Sequence, residues 1–126
     1  MLFRSIRISI PIVLVTAMAG CGSSSPAPAP TPNPPAPVTV TIPVGASTLG
    51  RGGFIPNPIT VAVGGTVTWN NTDTATSSHN VTSDSGVFAS QNFANGATFS
   101  FTFQSRGTFN YTCTRHAGMA GTVTVQ

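Results

Sequence analysis

The stretch ATFSFTFQSRGTFNYTCTRHAGMAGTVTV, residues 97–125, decides the fold of this chain. Apolar and polar residues alternate over three short runs within it: Ala97–Phe103, Thr108–Cys113 and Thr122–Val125. Such alternation is typical of half-buried β-strands, because residues two apart share one face of a strand. The stretch therefore predicts three successive strands, with Cys113 on the core side at the end of the second.

The same pattern extends upstream through the rest of the chain after residue 37. Four further runs alternate in the same way: Val38–Val44, Ile59–Val63, Thr66–Asn70 and His79–Thr82. No segment here has helical periodicity, and glycine-containing turns such as Gly64-Gly65 and Asn95-Gly96 separate the runs. Seven or eight short strands predict an all-β sandwich.

Charge is scarce in this sequence of 126 residues. Five basic and two acidic residues give a formal net charge of +3, and two of the arginines, Arg4 and Arg7, lie near the N-terminus. The remainder carries one net positive charge and no basic run, which is not the charge footprint of a nucleic-acid-binding domain. The length allows a single packed domain, which we place at residues 38–126.

The N-terminus has the composition of an export signal. MLFRSIR is followed by an apolar run from Ile8 to Ala19, which is typical of a signal peptide over residues 1–20 rather than of a membrane-spanning helix. Met18-Ala19-Gly20-Cys21 resembles the bacterial lipoprotein signal, in which the cysteine is lipidated and becomes the first mature residue. Ordinary cleavage after Ala19 is the alternative, and it would release an unanchored protein.

Residues 21–37 are predicted to be a tether that follows the lipidated Cys21. Glycine and serine lead into a Pro/Ala tract with seven prolines, a composition that cannot bury apolar surface and favours extended polyproline II. A lipid anchor at Cys21 would make the protein a membrane-attached lipoprotein, periplasmic or at the cell surface. An inert disordered tail is the simpler alternative.

Four side chains in the predicted domain form a complete ligand set for a type 1 copper ion. Cys113, His116 and Met119 follow a Cys-x₂-His-x₂-Met spacing, and His79 lies upstream. One thiolate, two imidazoles and a weak axial thioether suit copper in an electron-transfer site. Zinc is less suited, because it prefers four strong ligands in a tetrahedral arrangement.

The residues around these ligands resemble a known family, the cupredoxins. The C-terminal segment from Tyr111 to Val125 is similar to the cupredoxin signature, and its ligand spacing is closest to amicyanin. Upstream, Phe54–Val61, Gly64–Asn71 and the segment from Asp73 to Val81 match the family pattern as well. The resemblance spans about residues 38–126, whereas plastocyanin-like members generally have a longer gap before the methionine.

The resemblance implies a Greek-key sandwich that holds one copper ion cycling between Cu(II) and Cu(I). It implies that electrons pass through the exposed edge of His116, to and from redox partner proteins. It also implies that Asn80 hydrogen-bonds near Cys113 or Thr114, so that Asn80 and Thr114 orient the ligand loop. Arg115 departs from the pattern, because many members have proline there, and it adds a cation beside the metal.

Other interpretations of the same residues explain less. Cys113 as a buried thiol, His116 as a loop histidine and Met119 as a gap filler are each common, but the three lie within seven residues. A Cys21–Cys113 disulfide conflicts with lipidation and with the thiolate that the site needs. A Cys-His hydrolase lacks evident oxyanion donors, and copper oxidases and nitrite reductases need more histidines than two.

We therefore predict an exported electron shuttle that is not an enzyme. It would have one type 1 copper, no catalytic residues, protein redox partners and no nucleic-acid partner, and we expect a monomer. An exported copper carrier or sequestering lipoprotein that uses the same ligands is the alternative, and redox cycling would separate the two.

Overall fold

A computed structural model of the chain describes residues 33–74 and 78–126, which belong to one compact unit. The predicted signal peptide, Cys21 and residues 22–32 of the tether lie outside the described residues. No helix among the residues described is long and apolar enough to cross a membrane. Seven strands are described: β1 (Val38–Ile42), β2 (Ile59–Val61), β3 (Thr66–Asn71), β4 (Thr82–Ser83), β5 (Thr98–Thr102), β6 (Gly107–Thr112) and β7 (Ala120–Val125).

The strands form two sheets that face each other across the core. One sheet has the order β1-β3-β5 and the other has the order β2-β7-β6-β4. β1 is parallel to β3 and β2 is parallel to β7, whereas the β3/β5, β4/β6 and β6/β7 pairs are antiparallel. The protein is thus an all-β Greek-key sandwich, as the sequence and the resemblance predicted.

The strand directions define two ends of the sandwich. β3 and β6 both finish at one end, called the upper end below, where β7 begins opposite Thr112. Val38 pairs in parallel register with Val67 near the start of β3, so the chain enters β1 at the lower end. Residues 33–37 consequently enter the sandwich at the end remote from the segments that follow β3 and β6.

Aromatic side chains fill the space between the sheets. Trp69 is fully buried and packs against Phe88, Phe99 and Tyr111 with ring centroids 5.5, 5.6 and 5.3 Å away. Burial raises the pKa of Tyr111 to about 12, an effect that the nearby indole of Trp69 partly offsets. The hydroxyl of Tyr111 and the indole N–H of Trp69 make no hydrogen bond of normal geometry within the described part of the chain. These rings therefore stabilise the fold by packing.

Two local differences from the predicted strands have physical causes. The predicted strand His79–Thr82 is reduced to Thr82–Ser83, because His79 instead exchanges backbone hydrogen bonds with Phe93. β2 ends at Val61, and the chain then turns at Gly64, which has a φ of 81°. Val63 is therefore 40 % exposed rather than part of the inward face.

A side chain that the sequence analysis did not single out joins the segment before β2 to the start of β7. The amide of Asn57 donates to the carbonyl of Ala120 at 2.9 Å, and its oxygen accepts the backbone N–H of Thr122 at 3.0 Å. These bonds fix the chain next to the last strand. They hold β7 in place where it leaves the predicted ligand loop.

Candidate metal centre

Three of the four predicted ligands converge at the upper end. The donor atoms of His79, Cys113 and His116 all lie within 4.8 Å of one another. Nδ1 of His79 is 3.9 Å from the sulfur of Cys113, and Nδ1 of His116 is 3.4 Å from it. His79 and Cys113 are buried and His116 is half-buried. The arrangement offers one sulfur and two imidazole nitrogens to a single ion.

His79 is held in a fixed orientation from behind. Its Nε2 lies 3.0 Å from Oδ2 of Asp73, and neither side chain is exposed to solvent. An Nε2–H that donates to the carboxylate leaves the Nδ1 lone pair directed at the cluster, which is the tautomer that a metal ligand requires. The backbone of His79 is held as well, through its two hydrogen bonds with Phe93.

The other ligands come from a tight loop after β6. The backbone N–H of His116 donates to the carbonyl of Cys113 and that of Met119 donates to the carbonyl of His116, both at 3.3 Å. The N–H of Cys113 donates to the carbonyl of Met119 at 2.9 Å and closes the loop. Gly118 has a φ of 77°, a conformation that glycine adopts at little cost. The short ligand spacing thus folds into two successive turns.

Met119 is buried below this loop, with 1 % of its surface exposed. A Cβ at Gly53 would lie 2.8 Å from Cγ of Met119 and 2.9 Å from the carbonyl oxygen of Ala46. Such distances are too short for carbon in a packed interior. The absence of a side chain at Gly53 therefore makes the space that Met119 occupies.

Asn80 links the two ligand-bearing segments. Its Oδ1 accepts the backbone N–H of Thr114 at 2.8 Å, and its Nδ2 donates to the hydroxyl of Thr114 at 2.8 Å. Its own backbone N–H points at the sulfur of Cys113, 3.5 Å away. The hydrogen bond between Asn80 and the loop that the resemblance implied is present in this geometry.

The donor set fits a copper ion. A buried thiolate and two imidazole Nδ1 atoms are soft and intermediate ligands, and the buried Met119 thioether lies on the same loop. His79, Cys113, His116 and Met119 would hold the ion, and the contact of His79 Nε2 with Asp73 leaves Nδ1 of His79 available as a ligand. No other group of three or more His, Cys, Asp or Glu side chains in metal-binding proximity occurs among the residues described.

Comparison with known proteins decides the family. Residues 47–126 match the model of the copper binding proteins of the plastocyanin/azurin family. The chain belongs to this family. The cupredoxin is also 38 % identical over 86 residues to plastocyanin from Scenedesmus fuscus, a match that covers 58 % of this chain and 86 % of that protein.

Solved structures give the same result. A purple cupredoxin from Nitrosopumilus maritimus is 31 % identical with a TM-score of 0.63, and the match covers 71 % of this chain and 99 % of that one. The P52G mutant of amicyanin is 29 % identical with a TM-score of 0.57, over 71 % and 81 % of the two chains. Family and site together identify a type 1 copper protein of electron transfer that binds one copper ion.

A copper-containing nitrite reductase from Thermus scotoductus also matches, with a TM-score of 0.60 over 72 % of this chain and 22 % of that one. At 23 % identity it shows a shared fold alone. The family and its other relatives point to a carrier of electrons.

His116 is the ligand nearest to solvent in this cupredoxin. Partial burial lowers its pKa, and the nearby His79 and Arg115 lower it further, whereas Asp73 acts in the opposite direction. A lowered pKa favours the neutral imidazole, which is the form that binds a metal. Arg115 itself is exposed, so the departure from proline places a solvated cation beside the accessible ligand.

Sequence analysis missed two residues that shape the site, Asp73 and Gly53. Asp73 lies six positions before His79, and no local spacing rule connects the two across the intervening loop. Gly53 lies far from the ligands in sequence and shows no motif of its own. The hydroxyl-rich segment from Thr72 to Ser78 indicates a loop before His79, but not which residue contacts the histidine.

The contact between Gly53 and Met119 predicts the behaviour of a variant. Gly53→Ala should displace Met119 and therefore change the visible spectrum and the reduction potential of the copper-loaded protein. Gly52→Ala is the matched control, because a Cβ there meets only Cβ of Leu49 at 3.6 Å. Identical spectra and potentials for both variants would show that a side chain at position 53 does not displace Met119.

Proposed function

We propose that this cupredoxin is an exported, membrane-tethered carrier that shuttles single electrons between protein partners. The observation that supports the proposal most is the cluster of His79, Cys113 and His116. In it His79 and Cys113 are buried, and His116 is half-buried at the surface. When bound, copper supplies a one-electron couple between Cu(II) and Cu(I). The residues around it supply position, shielding and access.

Shielding and access are divided among the ligands. His79, Cys113 and Met119 are at most 2 % exposed, so they exclude water from the centre. His116 is half-buried and has exposed neighbours in Arg115 and Ala117. An electron that enters or leaves through the imidazole of His116 crosses only one side chain to reach solvent or a partner surface.

The histidine content of the chain also supports a carrier rather than an enzyme. The chain has two histidines, and both belong to the cluster. No histidine is left to build a second copper centre for oxidase or nitrite reductase chemistry. We propose that the redox partners dock at the upper end, next to His116.

The position of the proposed tether is compatible with docking of partners at the upper end. Residues 33–37 are exposed and lead into β1 at the lower end of the sandwich, away from the ligand cluster. Residues 26–37, in polyproline II, would span on the order of 35 Å. An anchor at Cys21 would therefore leave the upper end of the domain, with His116, accessible to partners in the surrounding compartment.

Lipidation predicts a specific pair of results for the two cysteines. Cys21→Ser should move the protein from the membrane fraction to the soluble fraction, or leave it unprocessed, without changing the colour of the copper-loaded domain. Cys113→Ser should have the opposite effects, with loss of colour and unchanged membrane association. Mass spectrometry that finds an unmodified mature terminus beginning at Gly20 would contradict the anchor.

Redox cycling distinguishes the electron carrier from a copper carrier. The copper-loaded domain should give a reversible one-electron wave in voltammetry and keep its copper over repeated reduction and oxidation. The measurement should be repeated with a Cu(I) chelator of moderate affinity in solution. If reduction transfers the ion to the chelator, the protein delivers copper and the electron-shuttle proposal is wrong.

A further inference from the structure

A second group of interactions lies directly behind His79, centred on the carboxylate of Asp73. Its Oδ2 is 3.0 Å from Nε2 of His79, and its Oδ1 accepts the backbone N–H of Gly45 at 3.1 Å. Its own N–H donates to Oδ1 of Asn71 at 2.9 Å, and Asn71 in turn donates to the carbonyl of Phe93. Asp73 thus joins the end of β3 to the segment after β1 and to a ligand.

Asp73 is one of only two acidic residues in the chain, and its exposed fraction is 0 %. Burial of a carboxylate is costly unless charge and hydrogen bonds compensate it. A neutral amide has only one oxygen, so it could not accept from both Gly45 and His79, whereas the two carboxylate oxygens do. The carboxylate also places a buried negative charge next to His79, a predicted copper ligand.

The second imidazole lies next to the first, because the ring centroids of His79 and His116 are 4.7 Å apart. The carboxylate of Asp73, 3.0 Å from Nε2 of His79, is therefore near any ion that the two imidazoles bind. Asp73 and His79 are both fully buried, so little water screens this charge.

We propose that Asp73 is a positioning residue that orients His79 through Nε2 and, by its negative charge, favours oxidised over reduced copper at this centre. The inference rests on the proposed copper function. With the thiolate of Cys113 and the carboxylate of Asp73 counted, the buried group is neutral with Cu(II). When one electron arrives from a donor the group gains one net negative charge, which is costly in a dry interior.

The bias has a measurable direction. Asp73→Asn keeps the size of the side chain and one acceptor oxygen, which can serve His79 or Gly45 but not both, and it removes the charge. The variant should bind Cu(I) relative to Cu(II) more strongly than the original protein does, by roughly tenfold to a hundredfold for a unit charge several Å away. Its reduction potential should rise accordingly.

The chain offers a matched control in its other acidic residue. Asp84 is exposed beyond the end of β4, so Asp84→Asn makes the same change in formal charge. Solvent and salt screen a charge at that position. We expect the ratio of Cu(I) to Cu(II) affinity in Asp84→Asn to stay within about twofold of the original.

The experiment measures Cu(II) and Cu(I) affinities by competition with chelators, and the potential by voltammetry, for all three proteins. If Asp73→Asn lowers the thermal stability but shares the affinity ratio and potential of Asp84→Asn, Asp73 only fastens the loop and the proposal is wrong. If the original protein shows no thiolate-to-copper band, the proposed function itself fails, which is a separate outcome.

A measurement on the original protein tests the contact between Asp73 and His79 even if the variant misfolds. In the Cu(I) form, which is diamagnetic, the Nε2–H proton of His79 should give a downfield nuclear magnetic resonance signal that exchanges slowly with water. Its hydrogen bond to a buried carboxylate requires both properties. A rapidly exchanging or missing signal would contradict the contact between Asp73 and His79.

Discussion

Cys113→Ser should abolish the intense visible absorption of the copper-loaded protein. The absorption arises from charge transfer between a thiolate and copper, and the described residues contain no other cysteine. Serine is close in size to cysteine, so the buried position directly after β6 can accept it without a large change in packing. Its hydroxyl is a harder and much weaker ligand for copper than a thiolate.

The variant should also lose affinity for copper, because only two imidazoles and a weak thioether remain. Absorption spectroscopy during titration of the apo protein with Cu(II) measures both effects. The Cys21→Ser variant serves as the control, since its substitution lies outside residues 38–126. An intense charge-transfer band in Cys113→Ser would exclude Cys113 as the ligand.

Gly121→Ala should strongly destabilise the domain. A Cβ at Gly121 would lie 2.8 Å from Cε1 of Tyr111 and closer still to the end of the phenol ring. Tyr111 is 1 % exposed and is enclosed by Phe54, Trp69 and Phe88, so the ring has no free space to move into. Overpacking of this kind costs about 1–3 kcal/mol and occasionally more.

Thermal unfolding of the apo protein checks this prediction. For a domain of this size, each kcal/mol lowers the melting temperature by roughly 4–8 °C. Gly52→Ala is a suitable control, because its added methyl group meets ordinary contact distances. A melting temperature for Gly121→Ala equal to that of the control would mean that the contact with Tyr111 is looser than the structure shows.

The strands were predictable because their information is local. Alternation from Thr98 to Thr102 and from Gly107 to Thr112 places side chains on two faces, and that pattern survives in any sandwich. β4 was predicted less well. Backbone groups of His79 and Val81 form hydrogen bonds with residues 90–93 rather than extending β4. This hydrogen-bonding pattern depends on the path of the segment from residue 90 to residue 93, which cannot be inferred from periodicity in the sequence.

The ligand loop was predictable for a related reason. Cys113, His116 and Met119 lie so close in sequence that few conformations keep them apart, and their combination is chemically specific. The Asn80 hydrogen bonds followed from the family resemblance. Asp73 and Gly53 did not follow, because their importance depends on long-range packing: one lies behind His79, and the other leaves space for Met119.

Titration of the apo domain with Cu(II), followed by visible absorption and electron paramagnetic resonance, tests the central claim most directly. The account predicts that one equivalent of copper produces an intense thiolate-to-copper band and a resonance spectrum with the narrow parallel hyperfine splitting of a type 1 site. The signal should saturate at that ratio and disappear on reduction. A weak band with the wide splitting of ordinary tetragonal copper, or no saturation at one equivalent, would contradict it.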